Sequence, residues 1–202
     1  MNIAAGGRPR TRTRCWFGVL ALAALLGSAH AAPVAIDHSK RLTPVDQGDS
    51  NLCWLASAAM MVSWKESRKV DMGQLAAGLG NPYADLFKNM APASPALVKA
   101  LAAKLALTTR GMQNFTPQWW IDRLRAGPIW VGGYEAGAKM RHVRVLVALV
   151  GDSTTPNEMT AIYVEPAGGK LVPTTFNELN KFFEAIAKAP GNLPDVQVLT
   201  FD

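Results

Sequence analysis

One apolar segment, residues 52–64, constrains the fold of this 202-residue chain more than any other. It reads Leu-Cys-Trp-Leu-Ala-Ser-Ala-Ala-Met-Met-Val-Ser-Trp, which is apolar on nearly every face of a helix. A helix of that kind lies in the middle of a domain rather than on its surface. The residues just before it, Asp49, Ser50 and Asn51, are favoured N-caps. We therefore predict a buried central helix with Cys53 in its first turn.

Two other helix starts combine a cap residue with a proline at the first helical position, a pair typical of helix N-termini. An amphipathic stretch near the end of the chain predicts a last helix. The predicted helices are Ser94-Pro95 into 96–105, Thr116-Pro117 into 118–124, and residues 176–187.

The strand-like segments come late in the chain. Four stretches are rich in Val, Ile and aromatic residues and are bounded by Gly, Pro or Asn: 128–133, 141–150, 160–165 and 196–201. Helices followed by strands are typical of an α+β fold with a mostly antiparallel sheet. With no internal repeat or linker to divide it, residues 32–202 are predicted to form one domain, an N-terminal helical part packed on a C-terminal sheet.

Residues 1–31 have the pattern of a secretory signal peptide. Four arginines within 8–14 precede an apolar run over 15–26, and Ala29-His30-Ala31 supplies a small-x-small cleavage pattern. The alternative is an uncleaved membrane anchor, but the apolar run is short for about 30 Å of hydrocarbon. We predict cleavage before Ala32 and a secreted or periplasmic protein.

The charge distribution argues against nucleic acid as a partner. Of 21 basic residues, four lie in the predicted signal, so 17 basic and 15 acidic residues remain from Ala32 onward. Such a balance leaves no basic stripe. We expect a protein or peptide substrate, no nucleic acid, no membrane contact after signal cleavage, and a monomer.

Cleavage before Ala32 would leave Cys53 as the one cysteine, so no internal disulfide is expected and the thiol is either inert or reactive. With His38 and His142 it forms no compact zinc-ligand spacing. A Gly-x-Ser-x-Gly elbow and a phosphate-binding glycine loop are also missing from the sequence. We expect neither a metal nor a cofactor.

The sequence Gln47-Gly-Asp-Ser-Asn-Leu-Cys53-Trp54 resembles the papain-like cysteine peptidases, in which glutamine precedes Cys-Trp at this spacing. His142 at the start of an apolar strand and Glu165-Pro-Ala-Gly-Gly extend the resemblance over residues 47–169. It is nearest to compact bacterial enzymes of the bacteriocin-processing and plant-pathogen effector types. Two features differ: Asn-Leu precedes Cys53 where plant and lysosomal enzymes have Gly-Ser or Gly-Ala, and Glu165 stands where the family has Asn or Asp.

The resemblance implies a role for each of these residues, and the chemistry fits. A thiolate is the nucleophile, and a helix N-terminus with a neighbouring imidazolium lowers a thiol pKa. Cys53 is then the nucleophile, His142 the base, and Glu165 the acid that orients His142. Gln47 would donate its side-chain amide to the developing oxyanion, beside the Cys53 N–H.

The alternatives remain open at this stage. Cys53 is an inert core residue in one of them, and His142 is an ordinary histidine at a strand end. For function, the alternatives to a peptidase are a non-catalytic binding or inhibitory module on the same fold, and a Cys-His amidase acting on cell-wall peptides.

Two acids compete for the role beside His142. In a simple hairpin about residues 153–157, Glu165 lies directly opposite His142, at a Cβ separation of about 5 Å. Asp152 lies ten residues further along the same strand, roughly 33 Å away if the strand is straight. We therefore predict that Glu165 orients His142 and that Asp152 is a turn residue.

Overall fold

A computed structural model of the chain describes residues 33–191 and 196–202. The predicted signal peptide lies outside these residues. In chain order the helices and strands are β1 (Pro33–Asp37), α1 (Cys53–Glu66), α2 (Met72–Leu79), α3 (Tyr83–Lys88), α4 (Pro95–Lys104), β2 (Thr108–Arg110), α5 (Pro117–Ala126), β3 (Ile129–Glu135), β4 (Met140–Asp152), β5 (Thr160–Glu165), β6 (Lys170–Thr175), α6 (Phe176–Glu184) and β7 (Val198–Thr200).

The strands of the described residues form one antiparallel sheet in the order β2-β7-β3-β4-β5-β6. Its longest strand, β4, pairs with β3 over its first half and with β5 along the other edge. The end of β4 also pairs with β1, from Pro33 opposite Asp152 to Asp37 opposite Ala148. β4 therefore links the first strand of the chain to the centre of the sheet.

Helices cover both faces of this sheet. On one face α1 packs with the first helices against β4, burying residues such as Leu55, Met60 and Val145. On the other, α5 and α6 bury Trp120, Phe176 and other residues against the same strands. The α+β fold is thus confirmed, and the helices divide between the two faces.

The structure confirms the buried central helix, because nine residues of α1 are buried along its length. Its predicted cap is wrong. The N-cap position is Leu52, and no side chain in the described part of the chain caps α1. By contrast, Ser94 and Thr116 cap α4 and α5 as predicted, accepting the N–H groups of Leu97 and Trp119.

Several elements have no clear signal in the sequence. The prediction lacked β1, β2, β6, α2 and α3. Pro173 lies within β6, which the sheet order leaves at the edge, where a strand tolerates a missing N–H. The predicted last helix ends early, since Ala185–Lys188 forms a 3-10 turn. In the described residues, no helix is long and apolar enough to cross a membrane.

Candidate active site

Cys53 is the first residue of α1 and a free, partly buried thiol. The N-terminal N–H groups of a helix have no partners within the helix. No described side chain caps α1. The free N–H groups and the positive end of the helix dipole therefore lie next to Cys53. The start of α1 therefore favours a negative charge on or near the sulfur.

The loop before α1 is fastened to the turn after β5. The backbone N–H of Gln47 donates to the carbonyl of Pro166 at 2.9 Å, and Asp46 Oδ1 accepts the N–H of Gly168 at 2.9 Å. Gly169 has a φ of +58°, and a Cβ there would lie 3.1 Å from the Asp46 nitrogen. Glycine is therefore favoured at this close approach between the loop before Cys53 and the segment that begins with Glu165.

His142 lies near the start of β4, opposite Gly133 of β3, and only 6% of it is exposed. Its Nε2 donates a hydrogen bond to Glu165 Oε1. The other ring nitrogen, Nδ1, is buried and has no hydrogen-bond partner among the described residues. The bond to Glu165 fixes the neutral tautomer with the proton on Nε2, which leaves Nδ1 able to accept a proton.

Three donors converge on the Glu165 carboxylate. Oε1 accepts from His142 and from the backbone N–H of Ala167 at 3.1 Å, and Oε2 accepts from Arg144 Nε at 3.2 Å. Burial would raise the pKa of Glu165, but the His142 ring, the Ala167 N–H and Arg144 together lower it below its ordinary value. Glu165 is therefore ionised at neutral pH and can hold a charged imidazole.

The pKa of His142 is raised to about 9. Burial alone would lower it, but interaction with the Cys53 side chain, together with the hydrogen bond and the charge of Glu165, outweighs that effect. The side chains of Cys53 and His142 are therefore neighbours in the site. The raised pKa keeps the imidazole of His142 protonated at neutral pH.

The predicted pairing of His142 with Glu165 is wrong in register, although the two side chains do meet. β4 and β5 pair Val145 with Val164, so that continuing the ladder puts Arg144, not His142, opposite Glu165. The shift of two residues keeps Glu165 on the same face as His142. The two positions are diagonal neighbours, further apart than a direct pair, and the extra methylene of glutamate helps to span the gap.

Arg144 is the site residue that the sequence analysis missed. It donates to Glu165 and also, through Nη2, to Glu135 of β3. Its alternation with His142 along β4 puts both on one face of the sheet. The spacing of two residues between His142 and Arg144 is visible in the sequence. It indicates a role for Arg144 only when β5, which carries Glu165, is aligned beside β4.

Cys53 and His142 line one cavity of about 290 Å³. Much of the remaining lining is apolar and includes Trp54, Val98 and Trp130. Trp54 is buried, and its indole N–H donates to the carbonyl of Ala91 at 3.2 Å. The cavity can therefore take an apolar group beside the thiol.

Gln47 is held close to its own loop. Its Nε2 donates to the carbonyl of Ser50 at 2.6 Å, while Oε1 is buried without a hydrogen-bond partner in the described segments. It is not among the described residues that line the cavity. One of its two amide N–H bonds remains for another acceptor.

Two other residues of the sequence analysis have defined positions. His38 donates through Nε2 to the Leu124 carbonyl at 2.6 Å and packs edge-on against Trp64. Asp152 accepts from the N–H and hydroxyl of Thr154, as a turn residue would. Within the described part of the chain, neither forms a hydrogen bond with Cys53 or His142.

Comparison with known proteins agrees with this geometry. The family model described as papain-like cysteine protease AvrRpt2 matches residues 38–184, which is most of the chain and includes Cys53, His142 and Glu165. A comparison with curated proteins found no match. A free thiol at a helix start, facing a histidine that a carboxylate orients, is the arrangement expected of such an enzyme. This chain belongs to the family of papain-like cysteine proteases, and it is a cysteine-type peptidase.

Proposed function

We propose that the protein is a secreted or periplasmic peptidase that cuts a peptide bond through a thioester acyl-enzyme on Cys53. The observation that carries the proposal is His142, buried between Glu165 at Nε2 and the Cys53 side chain, with Nδ1 otherwise unpartnered. The localisation part of the proposal depends on the signal-like pattern of residues 1–31.

In the first half of the reaction the Cys53 thiolate attacks the carbonyl carbon of the scissile bond. The carbonyl oxygen becomes an oxyanion, for which we propose the Cys53 N–H and the free amide N–H of Gln47 as donors. The imidazolium of His142 then gives its Nδ1 proton to the amine as the C–N bond breaks. The amine product leaves, and the acyl group stays on sulfur.

In the second half a water molecule enters where the amine was. His142, now neutral, accepts a proton from this water through Nδ1 while the water oxygen attacks the thioester carbon. The C–S bond breaks, and the acid product leaves. The thiolate and the imidazolium are restored, and Glu165 holds the ring in one orientation throughout.

The cavity suggests what the substrate presents to the enzyme. Val98, Trp130, Val143 and Val196 contribute apolar walls beside Cys53. We therefore propose that substrates carry an apolar side chain close to the scissile bond. Peptide libraries with varied residues around the cleaved bond would test this by measuring kcat/KM for apolar against charged members.

Labelling and mutation of Cys53 test the reaction. A thiol-directed covalent peptidase inhibitor should modify Cys53, and the wild-type protein should degrade casein rather than peptidoglycan. Cys53→Ala should lower turnover at least about 10³-fold with Tm nearly unchanged. Full activity in Cys53→Ala would overturn the proposal, whereas activity on peptidoglycan alone would favour an amidase.

The localisation is tested separately. Cell fractionation followed by mass spectrometry should find the protein outside the cytoplasm with its N-terminus at or near Ala32. A protein that retains Arg8 and Arg14 would contradict the signal-peptide prediction without affecting the assignment of the catalytic residues.

A further inference from the structure

Arg144 is a largely buried cation beside the site. Only 16% of its side chain is exposed. Its guanidinium carbon lies 4.4 Å from the centre of the Tyr163 ring and 4.1 Å from that of Phe182. Two aromatic rings therefore hold the guanidinium in place, an environment that suits its planar, weakly hydrated charge.

The guanidinium bridges two carboxylates with two different nitrogens. Nε donates to Glu165 Oε2, and Nη2 donates to Glu135. Glu165 then has one oxygen committed to Arg144 and the other directed at His142. A lysine ammonium carries its three N–H donors on one nitrogen and lacks the rigid fork that these two contacts use.

We propose that Arg144 is a positioning residue of the peptidase: by holding Glu165 Oε2 it aims Oε1 at His142, and its charge offsets that of Glu165. The inference rests on the proposed function, because it concerns the same thiolate–imidazolium pair. Glu135 is a further positioning residue in this scheme, acting through Arg144.

The charge of Arg144 has a predictable effect on His142. A cation near an imidazolium disfavours its charged form, so the loss of Arg144 should raise the pKa of His142. The loss of the Glu135 charge should lower it by less, since the Glu135 side chain is more exposed to solvent than that of Arg144. Other charged or titratable groups near this network are Arg141 on β4, Tyr134 on β3, Tyr163 on β5, Glu178 and Lys181 on α6, and Cys53 on α1.

The experiment measures how fast iodoacetamide alkylates Cys53 as a function of pH, with the Cys53 peptide followed by mass spectrometry. This readout needs no knowledge of the substrate and separates Cys53 from Cys15. In the wild type, we expect the rate of alkylation to reach a plateau with pH, which reflects the thiolate–imidazolium pair. The rate should then rise a second time near pH 9, when His142 loses its proton. The value of kcat on fluorescent casein is measured in parallel.

Arg144→Met should move the second rise upward by roughly 1 pH unit and lower kcat about 10-fold or more, with KM little changed. Glu135→Gln should move the rise slightly downward. Arg144→Lys should leave the rise near its wild-type pH but should not restore kcat, because the charge is kept and the fork is lost. Arg125→Met, which removes an exposed arginine paired with Asp122, is the matched control and should change neither.

The inference is overturned if a folded Arg144→Met protein keeps the wild-type kcat, or if its second rise stays in place or moves down. Full turnover in Arg144→Lys would also contradict it, because charge alone would then suffice. Should Arg144→Met fail to fold, the Lys and Glu135→Gln variants carry the same test.

Failure of the proposed function would look different. In that case the wild-type Cys53 would itself titrate as an ordinary thiol, in a single rise near pH 8.5 and without a plateau. A two-step wild-type profile together with an unchanged Arg144→Met profile would reject the role of Arg144 alone.

Discussion

Asp152 and Glu165 are two acids with similar local settings and different tertiary surroundings. Each ends a strand, β4 or β5, and each accepts the backbone N–H of the residue two positions on, Thr154 or Ala167. Both pKa values are lowered from their ordinary values. For Asp152 the causes that lower it are two bonds from Thr154, whereas for Glu165 they include His142 and Arg144.

The difference teaches that a local turn motif does not decide which acid serves the site. Both acids accept their turn N–H group with one carboxylate oxygen, so the other oxygen can accept a further hydrogen bond. Only Glu165 lies beside β4 at the level of His142, because β5 folds back along that strand. Its second partner, Arg144, comes from the same alignment. The predictions below change each acid in turn.

The largest expected effect comes from removing the charge of Glu165. Glu165→Gln should lower kcat roughly 10²-fold, because a neutral amide stabilises the imidazolium of His142 less well and need not keep the same tautomer. The same chemical change at the other acid, Asp152→Asn, is the matched control and should leave kcat within about twofold. Steady-state kinetics on casein measures both, and the reverse pattern would assign the role to Asp152.

Shortening Glu165 by one methylene tests the diagonal register. Glu165→Asp keeps the charge but has less reach toward His142 from a position opposite Arg144. We expect kcat to fall about 10-fold, with Tm little changed. An aspartate variant that is as active as the wild type would show that the length of the side chain is unimportant.

The pH dependence of stability should report the charged state of His142 and should not depend on Asp152. The pKa of His142 in the folded protein, about 9, is above its ordinary 6.5. Its contribution to stability is therefore fully present below about pH 6.5 and is lost as the pH rises through about 9. The loss amounts to up to about 3 kcal/mol of unfolding free energy. Denaturant titrations from pH 6 to 10 should show this decline in the wild type and in Asp152→Asn, and a much flatter curve in His142→Gln.

The smallest effect is expected from Asp152→Ala. It removes the acceptor of two bonds from Thr154 in an exposed turn. Thermal unfolding should show a Tm lower by at most a few degrees, and kcat should not change. A large loss of activity would mean that the turn after β4 contributes to the site.

Much of the fold could be predicted because its signals are local. The Ser94-Pro95 and Thr116-Pro117 pairs mark helix starts through a cap and a fixed φ, and both helices begin there. The apolar composition of residues 52–64 is enough to bury α1. By contrast, β1 is only five residues long and is held by its pairing with the end of β4, so its sequence gives little warning.

The site divides in the same way. Cys53 at a helix start and a histidine in a strand could both be predicted from residue types and spacing. The partner of that histidine depends on a loop with a 3-10 turn and on a register shift between Leu146 and Ala148, neither of which a simple hairpin includes. Together, the loop and the register shift moved the pairing of β4 with β5 by two residues. Because two is an even number, Glu165 remained on the same face of the sheet as His142.

Residue chemistry and short-range spacing determined that this chain has a buried helix beginning with a thiol, a late antiparallel sheet and one histidine suited to act as a base. Tertiary structure decided which acid that histidine meets, how Arg144 joins them, and that Asp46 and Gln47 are fastened to the turn after Glu165. The reason is physical: caps, helix faces and strand alternation act over a few residues, whereas the contacts of His142 and Glu165 depend on strand alignment set by loops, bulges and packing across the whole sheet.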